Sequence, residues 1–75
     1  MPGHVRLPLP RPELAPSKVQ ALLVARRLGV EQLADRAELS RGLVKEALRG
    51  SRTLSVASLG ALARALDADL AEITE

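Results

Sequence analysis

Apolar residues recur along this chain in short bursts three and four positions apart, the spacing that lines one face of an α-helix. Val19, Leu22, Leu23 and Leu28 make the first burst. Ser17-x-x-Gln20 stands at its head with capping-box spacing, in which each side chain satisfies an unpaired backbone donor. A first helix is therefore expected from Ser17, with Gly29 able to end it. A second, about Val30 to Ala37, turns Leu33, Ala34 and Ala37 inward. Leu39-Ser40 is the bend that follows. Ser40 is a natural N-cap for a third helix, Arg41 to Arg49, with Val44, Ala47 and Leu48 as its inward stripe and Gly50 as its stop.

After a short polar loop, Ser55 caps a fourth helix running to about Leu66. Leu54 and Leu59 have the spacing of a hydrophobic staple across that cap. Leu59, Leu62, Ala63 and Leu66 form its buried face. A last turn or two should follow Asp69, capped by Asp69-x-x-Glu72, with Leu70 and Ile73 inward. The expectation is an all-α chain of five helices. Residues 1–16 stand apart because they hold all five Pro (Pro2, Pro8, Pro10, Pro12, Pro16). Proline gives no backbone donor and biases its neighbours toward extended forms, so this stretch reads as an arm before a domain at 17–75. Its segment HVRLPL can form an edge strand only against a partner strand.

Composition then narrows the chemistry. With no Phe, Trp or Tyr among 75 residues the core must be aliphatic, and with no Cys neither a disulfide nor a thiolate metal site can support it. A core this thin often gains stability from a second chain. The single His, His4, lies in the arm, so a Ser-His or Cys-His pair cannot form within one chain, and a metal set is lacking. No enzyme and no cofactor are expected. The Pro-broken N-terminus does not match a signal peptide, and no run approaches the ~20 apolar residues of a membrane span. A cytoplasmic, nucleoid-associated protein without membrane contact is expected.

The net charge of +2 hides an asymmetry. Residues 26–52 carry seven basic side chains (Arg26, Arg27, Arg36, Arg41, Lys45, Arg49, Arg52) against four acidic ones. Residues 53–75 carry Arg64 against Asp67, Asp69, Glu72 and Glu75. A polyanion would therefore be met in the middle third. There, two helices joined by a tight turn describe a helix-turn-helix, with small Ala34 where they cross. If Val44 and Ala47 face inward, 100° steps place Arg41, Gly42, Lys45, Glu46 and Arg49 on the opposite, exposed face. Such a face is what a recognition helix lays in the major groove.

From Leu22 to about Ile73 the chain resembles the Xre/Cro family of lambda-repressor-like DNA-binding domains. The resemblance rests on LADRAELSRGLVKEALRG and SVASLGALARALDADLAEI. Within them, Leu33-Ala34 matches the family's pair in the second helix, Leu39-Ser40 the step into the recognition helix, and Arg49-Gly50 its close. Two positions depart from the pattern. Gly29-Val30 replaces a Ser-Gln whose Gln meets a phosphate, and Glu38 stands where the family places a left-handed Gly.

The resemblance implies a sequence-specific transcription regulator of double-stranded DNA, a dimeric repressor inserting helix 41–49 into the major groove of an operator. Arg41 is a candidate for reading a guanine edge, and Lys45 for a groove or phosphate contact. Glu46 either accepts from cytosine N4 or holds Arg49 or Arg41 by an ion pair, the second being preferred. Arg49 and Arg52 are expected on phosphates, and Ser40 caps a helix N-terminus that favours phosphate. Leu43 either touches a thymine methyl or packs against the core or a partner. Gly42, costly within a helix by ~1 kcal/mol relative to Ala, would let the backbone approach the groove. A homodimer would have to use the core module or the arm. The alternative is an antitoxin or other interaction module that binds a toxin or another protein through the arm or an exposed apolar face.

Overall fold

A computed structural model describes residues 12–75. The expected HVRLPL strand and most of the arm, His4 included, lie outside them. Four short helices follow one another: α1 (Pro16–Arg26), α2 (Val30–Ala37), α3 (Arg41–Leu48) and α4 (Val56–Ala65). A single 3-10 turn, Leu70–Glu72, stands where a fifth helix was expected. The expected Asp69 cap is not made either, because the Asp69 carbonyl takes the Glu72 N–H at 2.9 Å while its side chain bonds nothing there.

The start of α1 also differs from expectation. Pro16, not Ser17, opens the helix, and Ala15 precedes it without a side-chain cap bond. Proline at a first helical position gives up a donor that would be unpaired anyway. It also biases the residue before it to extended backbone, and Ala15 sits there at φ −105°, ψ 96°. That conformation suits pairing. Ala15 N–H donates to the Ile73 carbonyl at 2.8 Å, and Glu75 N–H donates to the Glu13 carbonyl at 3.0 Å. Together they make an isolated antiparallel bridge between Leu14 and Thr74. Lys18 Nζ donates to the Thr74 carbonyl at 2.7 Å, and the buried Thr74 hydroxyl donates to the Leu70 carbonyl at 2.9 Å. The two ends of the described chain are thereby clasped across α1.

All four helices end alike. In each, a residue in left-handed backbone follows the last turn, and the next N–H reaches back five residues to a helix carbonyl. These bonds are Leu28 to Leu23, Leu39 to Ala34, Ser51 to Glu46 and Ala68 to Ala63, all between 2.9 and 3.0 Å. This is the Schellman closure, for which Gly is the usual left-handed residue. Only Gly50 (φ 81°) is Gly; Arg27 (φ 54°), Glu38 (φ 58°) and Asp67 (φ 52°) take the other three places. Gly29, the expected stop of the first helix, instead precedes α2 in extended backbone, where its N–H donates to Gln32 Oε1 at 2.9 Å.

The core is aliphatic. Val19 and Leu23 from α1, Leu33, Ala34 and Ala37 from α2, and Val44, Ala47 and Leu48 from α3 meet Leu54, Leu59, Leu62, Ala63, Leu66 and Ile73 in one buried cluster. The expected inward faces of α2, α3 and α4 are the observed ones. Helix α2 packs on both α3 and α4, and Ala34 is 0% exposed. Leu28, Val30, Leu39 and Leu43 pack against this cluster from its margin. Among the described residues no helix is long and apolar enough to cross a membrane.

Two substitutions at helix ends should move stability in opposite directions. Glu38→Gly removes left-handed strain and should raise the unfolding free energy by about 0.5–1 kcal/mol, whereas Gly50→Ala should lower it by about 1 kcal/mol. Urea melts of the two variants measure both. Ala34→Leu would overfill the crossing and should cost about 1–3 kcal/mol in the same melts.

Candidate functional site

The outward face of α3 follows from what its inward face must do. With Val44, Ala47 and Leu48 buried, the helical period leaves Arg41, Gly42, Lys45, Glu46 and Arg49 exposed. Ser40 starts the helix from extended backbone, and its Oγ accepts the Leu43 N–H at 3.1 Å. Leu43 itself is half-buried and packs against the core. Gly42 has no atom within 4 Å of the position a Cβ would occupy, so the fold does not require glycine there.

Two charged side chains of this face, Arg41 and Lys45, are held across the turn by α2. Arg41 lies side-on to Asp35, its Nε at 3.2 Å from Oδ1 and its Nη2 at 2.9 Å from Oδ2. Its Nη1 donates to Glu31 Oε1 at 3.3 Å, and Lys45 Nζ donates to Glu31 Oε2 at 3.2 Å. Glu31 and Asp35 are four residues apart on α2, as Arg41 and Lys45 are on α3, so each pair shares one face of its helix. Two carboxylates thus stand opposite two cations.

Glu46 was expected to hold Arg49 or Arg41. It holds Arg52 instead, at 3.2 Å from Nη1. The closure at Gly50 reverses the chain, with Ser51 N–H and Oγ both donating to the Glu46 carbonyl at 3.0 Å, and this brings residue 52 back beside α3. Arg41 is meanwhile occupied by α2. Arg49, just past the last turn of α3, is exposed and makes no ion pair among the described residues.

Hydrogen bonding from Arg41, followed by its charge, holds the Asp35 carboxyl below its ordinary value. The same hydrogen bond, with the charges of Asp35 and then Glu31, raises Arg41. Both side chains are more than half exposed, at 54% for Arg41 and 57% for Asp35. The pair therefore governs where the guanidinium points more than how stable the fold is. Glu31 and Asp35 were absent from the expected site. Their signal was present in the sequence, as an i, i+4 acidic pair one turn before an i, i+4 basic pair.

A depressed folded-state pKa means that the Asp35 contribution is complete above the ordinary carboxylate range and is lost as pH falls through the lowered value. NMR titration of side-chain carboxyls should find Asp35 below its ordinary value in the native chain. In Arg41→Ala it should return to that value.

Protein-family models and curated protein sequences give no match to the chain. Among solved structures, the restriction-modification controller protein C.AhdI from Aeromonas hydrophila is similar, with 33% identity and a TM-score of 0.72. That match covers 76% of this chain and 86% of the controller. The clp gene regulator ClgR from C. glutamicum shares the fold at 23% identity and a TM-score of 0.68, covering 75% of this chain and 73% of its own. A buried Ala34 on α2, a following helix capped by Ser40, and 33% identity over most of a controller protein converge on one assignment: the chain belongs to the Xre/Cro family of lambda-repressor-like helix-turn-helix domains.

Proposed function

We propose that this protein is a transcription regulator that binds a double-stranded DNA operator as a symmetric dimer and represses by covering it, with α3 in the major groove. The observation that carries the reading is the two-sided character of α3. One side is locked into the core by Val44, Ala47 and Leu48, and the other presents Arg41, Gly42, Lys45, Glu46 and Arg49 to solvent. A helix placed this way can enter a groove without repacking. The dimer follows from reach, since one short helix reads few base pairs and a two-fold pair reads half-sites ~34 Å apart.

In this reading Arg41 addresses a guanine edge, a contact worth ~1–3 kcal/mol of discrimination. Lys45 enters the groove or meets a phosphate, while Arg49 and Arg52 meet phosphates beside the end of α3. Glu46 orients Arg52, its partner in the structure. The Ser40-capped N-terminus of α3 favours a nearby phosphate. The alternative of an antitoxin or other protein-binding module is not favoured by the two structural neighbours, which are a controller protein and a gene regulator.

Titration of duplex DNA at two salt concentrations tests the proposal. Binding should weaken steeply with salt, in proportion to the phosphates neutralised, and Arg41→Ala with Lys45→Ala should weaken it by a further ~10-fold or more, about 1.4 kcal/mol. A protein that stays monomeric by light scattering and binds no duplex at ~50 mM salt would overturn it. Gly42→Ala separates fold from function. Because the added Cβ meets open space, stability should rise by up to about 1 kcal/mol. Affinity for a selected duplex should fall several-fold. Undiminished affinity would remove Gly42 from the interface.

A further inference from the structure

We infer that Asp35 is a positioning residue for sequence reading: it aims the Arg41 guanidinium and, together with Glu31, cancels the charge at the head of α3. This rests on the DNA-binding function proposed above. The geometry begins in the core, where Leu33, Ala34 and Ala37 seat α2 against its neighbours. The base of Asp35 is therefore fixed relative to α3, and its carboxylate grips the Nε and Nη2 edge of Arg41 at 3.2 and 2.9 Å.

A guanidinium has five N–H donors in a rigid fork. Asp35 takes one on Nε and one on Nη2, and Glu31 takes one on Nη1. One N–H on Nη2 and one on Nη1 remain. The free Nη2 N–H lies on the end-on edge of the fork, where it can donate to a base acceptor such as guanine O6 or N7. Arg41 has thus lost much of its rotamer freedom before any DNA arrives, which lowers the ordering penalty of the contact.

The second consequence concerns charge. Glu31 and Asp35 balance Arg41 and Lys45, so these four side chains together attract phosphate weakly. An arbitrary duplex is held by its phosphates alone, and at this corner it gains little. A duplex with the matching base acceptor gains the aimed contact in full. The two carboxylates therefore widen the gap between selected and arbitrary DNA, by favouring one and withholding attraction from the other.

The test uses the full chain and two duplexes of equal length, one selected by the wild type from a random library and one of scrambled sequence. Affinities are measured at two salt concentrations for wild type, Asp35→Asn, Arg41→Ala and the double variant. Asp35→Asn should bind the scrambled duplex several-fold more tightly at low salt, with a salt slope steeper by about one. Its ratio of selected to scrambled affinity should fall ~10-fold. In the Arg41→Ala background the same substitution should leave that ratio within ~2-fold. Asp35 is exposed, so thermal melts should coincide with wild type, and neither the ratio nor the slope would respond to a purely structural role. A ratio that Asp35→Asn leaves unchanged while Arg41 is present, or that falls equally with Arg41 and with Arg41→Ala, overturns the inference while leaving DNA binding intact. A wild type that enriches no sequence overturns the proposed function itself.

Discussion

How closely α2 and α3 approach decides what the outer surface of this protein can present. Ala34 of α2 is buried with no exposure at all, and its side chain is only a methyl group. The packing of α2 on α3 brings the two helices near enough for carboxylates on one to reach cations on the other at about hydrogen-bond distance. A wider crossing would leave the same four charged residues on the surface as separate, hydrated side chains. The paired arrangement is thus a product of core packing, although every member of it lies outside the core.

The turn between these helices supports that crossing at some cost. Glu38 adopts left-handed backbone at φ 58°, where glycine would sit without strain. The closure is the one glycine makes, with Leu39 N–H reaching the Ala34 carbonyl at 3.0 Å. The backbone bonds and the half-buried Leu39 hold the geometry in place of residue preference. Arg27 and Asp67 repeat the pattern at the ends of α1 and α4, so the fold's helix ends are set by tertiary contacts as much as by local propensity.

That division explains what could be read in advance. Helices α2, α3 and α4 carry local signals: Ser40 and Ser55 as caps, and apolar stripes that mark one face each. Their bounds and buried residues agree with the pattern. The start of α1 and the final turn depend on Ala15, Ile73, Thr74 and Glu75 pairing across nearly the whole chain, which no local window contains. Ser17 and Asp69 look like caps, yet that pairing had already placed the backbone. At the outer face of α3, periodicity shows which side chains are exposed but not their partners. Glu46 turned to Arg52 because Gly50 reversed the chain, and Arg41 turned to α2 because the two helices pack together.

The bridge between Leu14 and Thr74 makes the described chain nearly a closed ring. A short link between residues 12 and 75 would complete the circle without moving a helix, and new ends could then be opened in the exposed Gly50–Thr53 loop. The order in which α1 to α4 occur along the backbone is therefore incidental to their arrangement in space. The backbone therefore enters the described domain beside the place where it leaves it.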